Sequence, residues 1–139
     1  QFRRFYKSKL INEDFDLIVD DISKIPLGTP KYIDKPLVGI IHHIHGKSLY
    51  QELPAPMAYY IIRKENEIPI VYGETPVFAV SPSTRNELIS MGSNAEKIDF
   101  LYNAVGHELF HRTKVEKFSH PTISYIGRLK KYKQIEKII

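Results

Sequence analysis

Three histidines stand within four positions in the stretch GIIHHIHG, residues 39–46, directly after a short apolar run. An imidazole can hydrogen-bond a ligand, take up a proton near neutral pH or bind a metal ion. His42 ends the run, so we expect it at the carboxyl end of a strand, where open parallel sheets bind ligands. His43 and His45 follow in the loop, and their positions indicate surface residues. His42 is therefore the candidate catalytic residue.

A metal site is the alternative for this histidine cluster. A structural or catalytic metal needs at least three protein ligands with convergent geometry, and side chains at a strand-to-loop corner point in different directions. The first acidic residue downstream is Glu52, and the chain contains no cysteine. We therefore predict neither a metal site nor another cofactor.

A second candidate feature begins at Ser81, after a later apolar run. The order Ser81-Pro82-Ser83-Thr84 is typical of a helix start, with serine as the N-cap and proline in the first turn. The backbone N–H groups of such a turn can bind an anion. Simple capping explains the same residues, and the sequence leaves both roles open.

A third candidate feature is the stretch ISYIGRLKKYKQIEKII, residues 123–139. Gly127 lets the backbone bend closely after a predicted strand. Arg128 offers a planar guanidinium that can hold two phosphate oxygens, and Lys133 adds a charge near a predicted helix start. These residues suit a diphosphate, and a basic helix start that faces solvent fits them equally well.

Five short apolar runs predict the strands of a sheet, at Asp16–Asp20, Leu37–His42, Val77–Ser81, Ile98–Tyr102 and Ile123–Gly127. Near-continuous apolar runs favour parallel strands that are covered on both faces. Helices are predicted over Met57–Glu65, from Ser81 to a stop at Gly92, and from Tyr132 onward. This alternation of strands and helices predicts an α/β fold with a parallel sheet.

The composition is that of an ordinary globular protein, with 139 residues, 42% hydrophobic and 26% charged. The net charge is +4, and the basic residues are grouped in two clusters, Arg3 to Lys9 and Arg128 to Lys137, which suit anionic partners. Nucleic acid is not an expected partner, because the aromatic residues lie in apolar runs that predict core positions. Those aromatic residues are Tyr59, Tyr60, Phe100 and Tyr102.

Three stretches together resemble family-4 glycosyltransferases of the GT-B fold, also called glycosyltransferase group 1. PLVGIIHH, residues 36–43, is similar to the family's acceptor-domain strand that ends in histidine. VFAVSPSTRNELISMGSNAEKIDFLYNAVG, residues 77–106, is similar to its valine-serine strand end, helix and asparagine-glycine-valine turn. ISYIGRLKKYKQIEKII is similar to the glycine-arginine-leucine and lysine element that opens the donor domain. The order and spacing of the three stretches agree with the family.

The resemblance implies a Rossmann-like acceptor domain over residues 1–106, a connection over residues 107–121 and the start of a donor domain over residues 122–139. It implies a retaining glycosyltransferase, a hexosyltransferase that moves sugar from a nucleotide-sugar donor to a glycan or lipid-linked acceptor without a metal. On this interpretation the chain lacks most of the donor pocket, so we expect the isolated polypeptide to be inactive.

The resemblance also implies roles for single residues. His42 would lie beside the donor sugar as the catalytic residue, while Arg128 and Lys133 would bind the donor diphosphate. The residues lining the cleft would be Ser81, Asn103 and Gly127. The chain departs from the family at Ala104 and Gln134, where relatives carry glycine, and at Gly106, where they carry aspartate.

The expected location is the cytoplasm, including the inner face of the membrane, which the basic N-terminal cluster can contact. Two other functions stay open. The first is a non-catalytic α/β module that binds anionic surfaces through its basic ends. The second is a nucleotide-sugar epimerase of the GT-B fold.

Overall fold

A parallel sheet and four helices form the first part of the chain. The computed structural model describes residues 1–112 and 114–138. The chain divides into two compact units, of which the first is Gln1–Tyr102 and the second is Asn103–Ile139. The first unit has the α/β architecture predicted from the sequence, a parallel sheet flanked by helices in the Rossmann-like manner.

The sheet has four parallel strands in the sequential order β1-β2-β3-β4. They are β1 (Ile18–Asp21), β2 (Leu37–Ile41), β3 (Val77–Ala79) and β4 (Ile98–Phe100). β2, β3 and β4 begin at the predicted residues and end one or two residues earlier than predicted. The apolar runs therefore located the strands, while the ladder hydrogen bonds decided where each strand stops.

Four helices accompany the sheet: α1 (Phe2–Phe5), α2 (Ala55–Glu65), α3 (Ile68–Val71) and α4 (Pro82–Ser90). A π-helical turn, Tyr6–Leu10, continues from α1. Ser81 caps α4 as predicted, and Gly92 follows the helix with a φ of 104°, a left-handed conformation that glycine adopts without strain. No helix among the described residues has the length and apolar character needed to cross a membrane.

One face of the sheet forms the main core. Alternate strand residues on this face are buried, and residues of the connecting segments pack against them. The cluster consists of Ile22, Ile41, Ile68, Tyr72, Val77, Ala79, Leu88 and Ile98. On the other face Val19 is 53% exposed and Phe78 is half-buried. The expectation of full cover on both faces is therefore wrong for the described residues.

A buried aspartate connects β1 to the segments that pack beside it. Asp20 is 4% exposed and accepts hydrogen bonds from the hydroxyls of Thr29 and Tyr72, the latter at 2.7 Å. The Tyr72 oxygen in turn accepts the backbone N–H of Gly28 at 3.1 Å. Burial, together with the hydrogen bond to Asp20, raises the pKa of Tyr72 far above its ordinary value, so the phenol keeps its proton and donates.

The second unit contains two short 3-10 turns, Lys131–Lys133 and Ile135–Lys137, and its described residues form no α-helix or strand. The predicted strand at Ile123–Gly127 is therefore wrong. An isolated segment has no neighbour to pair its backbone, and Ile126 is 97% exposed. Thr113, in the predicted connection, lies outside the described residues.

The amphipathic helix predicted from Tyr132 is also wrong. Gln134 lies between the two 3-10 turns with a φ of 49°. A left-handed residue breaks the repeating hydrogen bonds of an α-helix, so no continuous helix passes through this position. Ile139, the last residue of that predicted helix, lies outside the described residues.

The aromatic residues predicted to be core are instead exposed. Tyr59 and Tyr60 lie on the outer side of α2, while Phe100 and Tyr102 stack on each other with ring centroids 5.8 Å apart. Phe100 belongs to β4, an edge strand that pairs with a neighbouring strand on one side only. Because these residues are exposed, the reason for excluding nucleic acid no longer applies. That nucleic acid is not a partner stays a prediction.

Replacing Tyr72 by phenylalanine should destabilise the first unit. The variant leaves Asp20 with one donor fewer and the Gly28 N–H without its acceptor. We expect the free energy of unfolding to fall by about 1–3 kcal/mol, the usual cost of unsatisfied buried polar groups. Guanidinium unfolding followed by circular dichroism measures it. Tyr59→Phe on the exposed side of α2 is the control, and equal stability of both variants would contradict the assigned role.

Candidate functional site

The carboxyl ends of three neighbouring strands form one edge of the sheet, which we call the carboxyl rim. Asp21 ends β1, His42 follows β2, and Ser81 follows β3 after one intervening residue. The strands are parallel, and Ile41 pairs with Ala79 across β2 and β3. The sheet thus brings all three residues to the same edge, where α/β folds bind ligands.

The imidazole of His42 is accessible at this rim. Its side chain is 46% exposed, and its Nε2 lies 3.5 Å from Oδ1 of Asp21, whose side chain is 72% exposed. The backbone carbonyl of His42 accepts a hydrogen bond from Thr84 Oγ1 at 3.4 Å. The first turn of α4 therefore holds the backbone of His42, while its ring is available to a ligand.

Ser81 acts as a helix cap. Its Oγ accepts the backbone N–H of Thr84 at 3.2 Å and lies 2.9 Å from Ser83 Oγ and 3.0 Å from Thr84 Oγ1. The capping role left open by the sequence is therefore confirmed. Anion binding by this turn stays a prediction.

A glutamate that the sequence patterns did not single out lies beside the histidines. Glu65 is the last residue of α2 and is 2% exposed. Its carboxylate accepts the backbone N–H groups of His45 and Gly46, each at 2.9 Å. The same carboxylate is 2.9 Å from Nδ1 of the His45 ring. A negative charge at a helix carboxyl end is opposed by the helix dipole, so these three donors are what stabilise it there.

The sequence does contain a signal for Glu65. Ala58, Ile61 and Glu65 are the buried residues of α2, and their spacing places them on one face of the helix. Ala58 and Ile61 pack with Leu49 in a second apolar cluster. A carboxylate in register with a buried stripe needs hydrogen-bond donors, and the helix pattern does not identify which residues supply them.

His43 and His45 contact each other through their ring nitrogens. The two Nε2 atoms are 2.9 Å apart, and the ring centroids are 4.1 Å apart. His43 is exposed, whereas His45 is half-buried and hydrogen-bonded to Glu65 rather than facing solvent as predicted. Partial burial and the neighbouring His45 lower the pKa of His43 below its ordinary value, which favours its neutral form.

The described residues contain no group of three or more histidine, aspartate or glutamate side chains arranged to hold a metal ion. In the histidine cluster the carboxylate of Glu65 is occupied by two backbone N–H groups and one imidazole. The arrangement is suited to holding and moving protons.

The predicted diphosphate-binding residues lie in the second unit. Arg128 and Lys133 are exposed, and the backbone carbonyl of Arg128 accepts a hydrogen bond from the Tyr125 hydroxyl at 3.0 Å. Lys133 ends a 3-10 turn, so its predicted place at a helix start is wrong. Its Nζ lies 5.1 Å from the ring centroid of Tyr132.

The two remaining candidates, Gly127 and Asn103, are also exposed residues of this unit. A Cβ at Gly127 would lie 2.8 Å from the hydroxyl oxygen of Tyr125, so glycine is what allows that ring to approach the backbone. The roles of Arg128, Lys133, Gly127 and Asn103 toward a ligand stay predictions.

No family model, curated protein or solved structure matches this chain. The resemblance to group 1 glycosyltransferases therefore rests on the residues themselves. The α/β class with its parallel sheet is shown by the structure, and the activity is a matter for proposal.

The lowered pKa of His43 predicts a pH-dependent stability. In the unfolded chain this ring titrates near its ordinary value of 6.5, so below that pH the unfolded state binds more protons than the folded state. The free energy of unfolding should therefore fall as the pH drops through this region. His43→Gln should reduce that slope, measured by urea unfolding between about pH 5 and pH 8. His107→Gln is the control, and an unchanged slope in His43→Gln would contradict the prediction.

Proposed function

We propose that this chain takes part in sugar transfer as a retaining glycosyltransferase. The donor is a nucleotide sugar, and the acceptor is a glycan or a lipid-linked molecule. His42 is the catalytic residue, and Arg128 and Lys133 bind the donor diphosphate. Two observations support this proposal. They are the resemblance of three stretches of sequence to group 1 glycosyltransferases and the position of His42.

The position of His42 is the observation that carries this proposal. The ring could have been buried in the sheet or placed at the opposite edge from Ser81, and either position would have removed it from a ligand cleft. Instead it is exposed at the carboxyl rim, beside the strand that leads into Ser81. This edge is where parallel α/β sheets bind their ligands.

The chemistry of the rim suits a sugar. His42 Nε2 and Asp21 Oδ1 lie 3.5 Å apart and are both accessible. An exposed pair at this distance contributes little to stability. Either group can therefore give up this contact and bind a ligand instead at small cost. A carboxylate accepts from hydroxyls, and an imidazole both donates and accepts, which matches the neighbouring hydroxyls of a sugar ring.

The cationic residues suit the leaving group. When the bond between the sugar and the nucleotide breaks, negative charge accumulates on the diphosphate. The guanidinium of Arg128 can hold two of its oxygens, and Lys133 supplies a further positive charge. Both side chains are exposed, as a phosphate ligand requires.

A second candidate is binding to an anionic membrane surface, which is compatible with the first. Helix α1 and the π-helical turn after it carry four exposed cations: Arg3, Arg4, Lys7 and Lys9. Phe2 and Phe5 on the same segment are exposed apolar residues. Exposed aromatic and basic side chains on one helix favour an interfacial position. Salt-sensitive vesicle binding without any nucleotide-sugar turnover would favour this function alone.

Replacing His42 by alanine should abolish most of the transfer activity. The protein is expressed as its gene encodes it, and release of nucleoside diphosphate is followed with a panel of nucleotide sugars. We expect kcat to fall on the order of 10²-fold or more, the usual contribution of a positioned acid–base side chain. His107→Ala is the matched control, and unchanged turnover in His42→Ala would remove the role assigned to His42.

Replacing Arg128 by alanine should weaken both donor binding and leaving-group stabilisation. We expect kcat/KM for the nucleotide sugar to fall on the order of 10²-fold, as for other preorganised donors to a developing anion. Arg112→Ala, an exposed arginine of the same unit, is the control. Equal effects of the two substitutions would show that general charge, rather than a diphosphate site, is what matters.

A further inference from the structure

The hydrogen bonds around Glu65 have a fixed direction. Its two oxygens accept the backbone N–H groups of His45 and Gly46, which can only donate. Oε1 also faces the Nδ1 atom of His45 at 2.9 Å. A carboxylate can only accept, so Nδ1 of His45 carries the proton.

This proton determines the state of the next ring. In neutral His45 the second nitrogen, Nε2, is unprotonated and accepts a hydrogen bond. Nε2 of His43 lies 2.9 Å away and must therefore carry the proton that it donates. Neutral His43 is then unprotonated at Nδ1, and for this atom the described residues supply no hydrogen-bond partner.

We infer that Glu65, His45 and His43 form a proton relay that makes Nδ1 of His43 a proton acceptor at the carboxyl rim. In the step that we propose, a hydroxyl O–H bond breaks, its proton binds Nδ1 of His43, and the oxygen keeps the electron pair. The proton on Nε2 of His43 passes to Nε2 of His45. His43 is again neutral, and the positive charge rests on His45 beside the carboxylate of Glu65.

The charged groups near the two rings favour a positive charge on His45 over a positive charge on His43. Lys24, from the segment after β1, and His42, from the end of β2, both oppose a positive charge on His43. Glu65, from the end of α2, also favours a positive charge on His43, but it is hydrogen-bonded directly to His45 and so favours the charge there more strongly. The exposed ring thus receives the proton, and the half-buried ring holds it.

The relay places a base at the carboxyl rim, one residue after the candidate catalytic residue His42. The identity of the hydroxyl rests on the proposed function, in which it belongs to the sugar acceptor. The relay itself depends only on Glu65, His45 and His43.

Ring-nitrogen NMR of the histidine-labelled chain tests the relay. At high pH we expect the Nδ1–H tautomer for His45 and the Nε2–H tautomer for His43. On uptake of one proton we expect His45 to become doubly protonated, while His43 changes to its Nδ1–H tautomer at the same midpoint. A simple structural pairing of His45 with Glu65 would not change the tautomer of His43.

Two outcomes of this titration would overturn the inference. One is a Nδ1–H tautomer for His43 at high pH, and the other is a doubly protonated His43 beside an unchanged His45. Glu65→Gln should abolish the tautomer change. Glu67→Gln should preserve it, because Glu67 is half-buried and paired with Lys64 rather than with a histidine. The wild-type spectra decide the question even where Glu65→Gln fails to fold.

An activity measurement separates the relay from the proposed function. If the relay serves transfer, kcat/KM should fall at low pH with the same midpoint as the tautomer change. His43→Gln should remove this dependence and lower kcat on the order of 10²-fold. The tautomer change without any sugar transfer would support the relay and refute the proposed function, whereas transfer without the tautomer change would refute the relay.

Discussion

The parallel pairing of β1, β2 and β3 is the constraint on which the candidate site depends. Parallel strands run in the same direction, so each strand delivers its next residues to the same edge of the sheet. Asp21, His42 and Ser81 are far apart in sequence and meet at this edge for that reason alone. An antiparallel pairing of the same strands would have sent His42 and Ser81 to opposite edges.

Two buried carboxylates hold the segments that surround this sheet. Asp20 is bound by two hydroxyls, from Thr29 and Tyr72, and Glu65 by two backbone N–H groups and an imidazole. A carboxylate loses its water on burial and is retained only where such donors replace it. The donors must be held in place to replace the lost water, so the turns that carry them are ordered. At Asp20 the result is a structural connection, whereas at Glu65 it is an oriented pair of histidines open to solvent at one end.

The elements that sequence reasoning predicted correctly are those with a local cause. The apolar runs at β2, β3 and β4 began where predicted, and the Ser81 cap and the Gly92 stop delimited α4, because side chain and backbone act within a few residues there. The predicted strand at Ile123–Gly127 had the same apolar pattern, but a strand also needs a paired neighbour, which its own residues cannot supply. The helix from Tyr132 likewise had the right periodicity and was interrupted at Gln134.

The sequence by itself determined the fold class and the identity of His42 as a rim residue, since both follow from strand periodicity and from the position at which one strand ends. Only the tertiary structure decided that Glu65 lies against His45, and that His43 is the outer member of the pair. Glu65 ends a helix that is separated from the histidine loop by a 3-10 segment, Gly46–Gln51. Contacts of this kind depend on how a helix packs, and no local propensity encodes them, because the carboxylate and the imidazole interact only after the chain has folded back on itself.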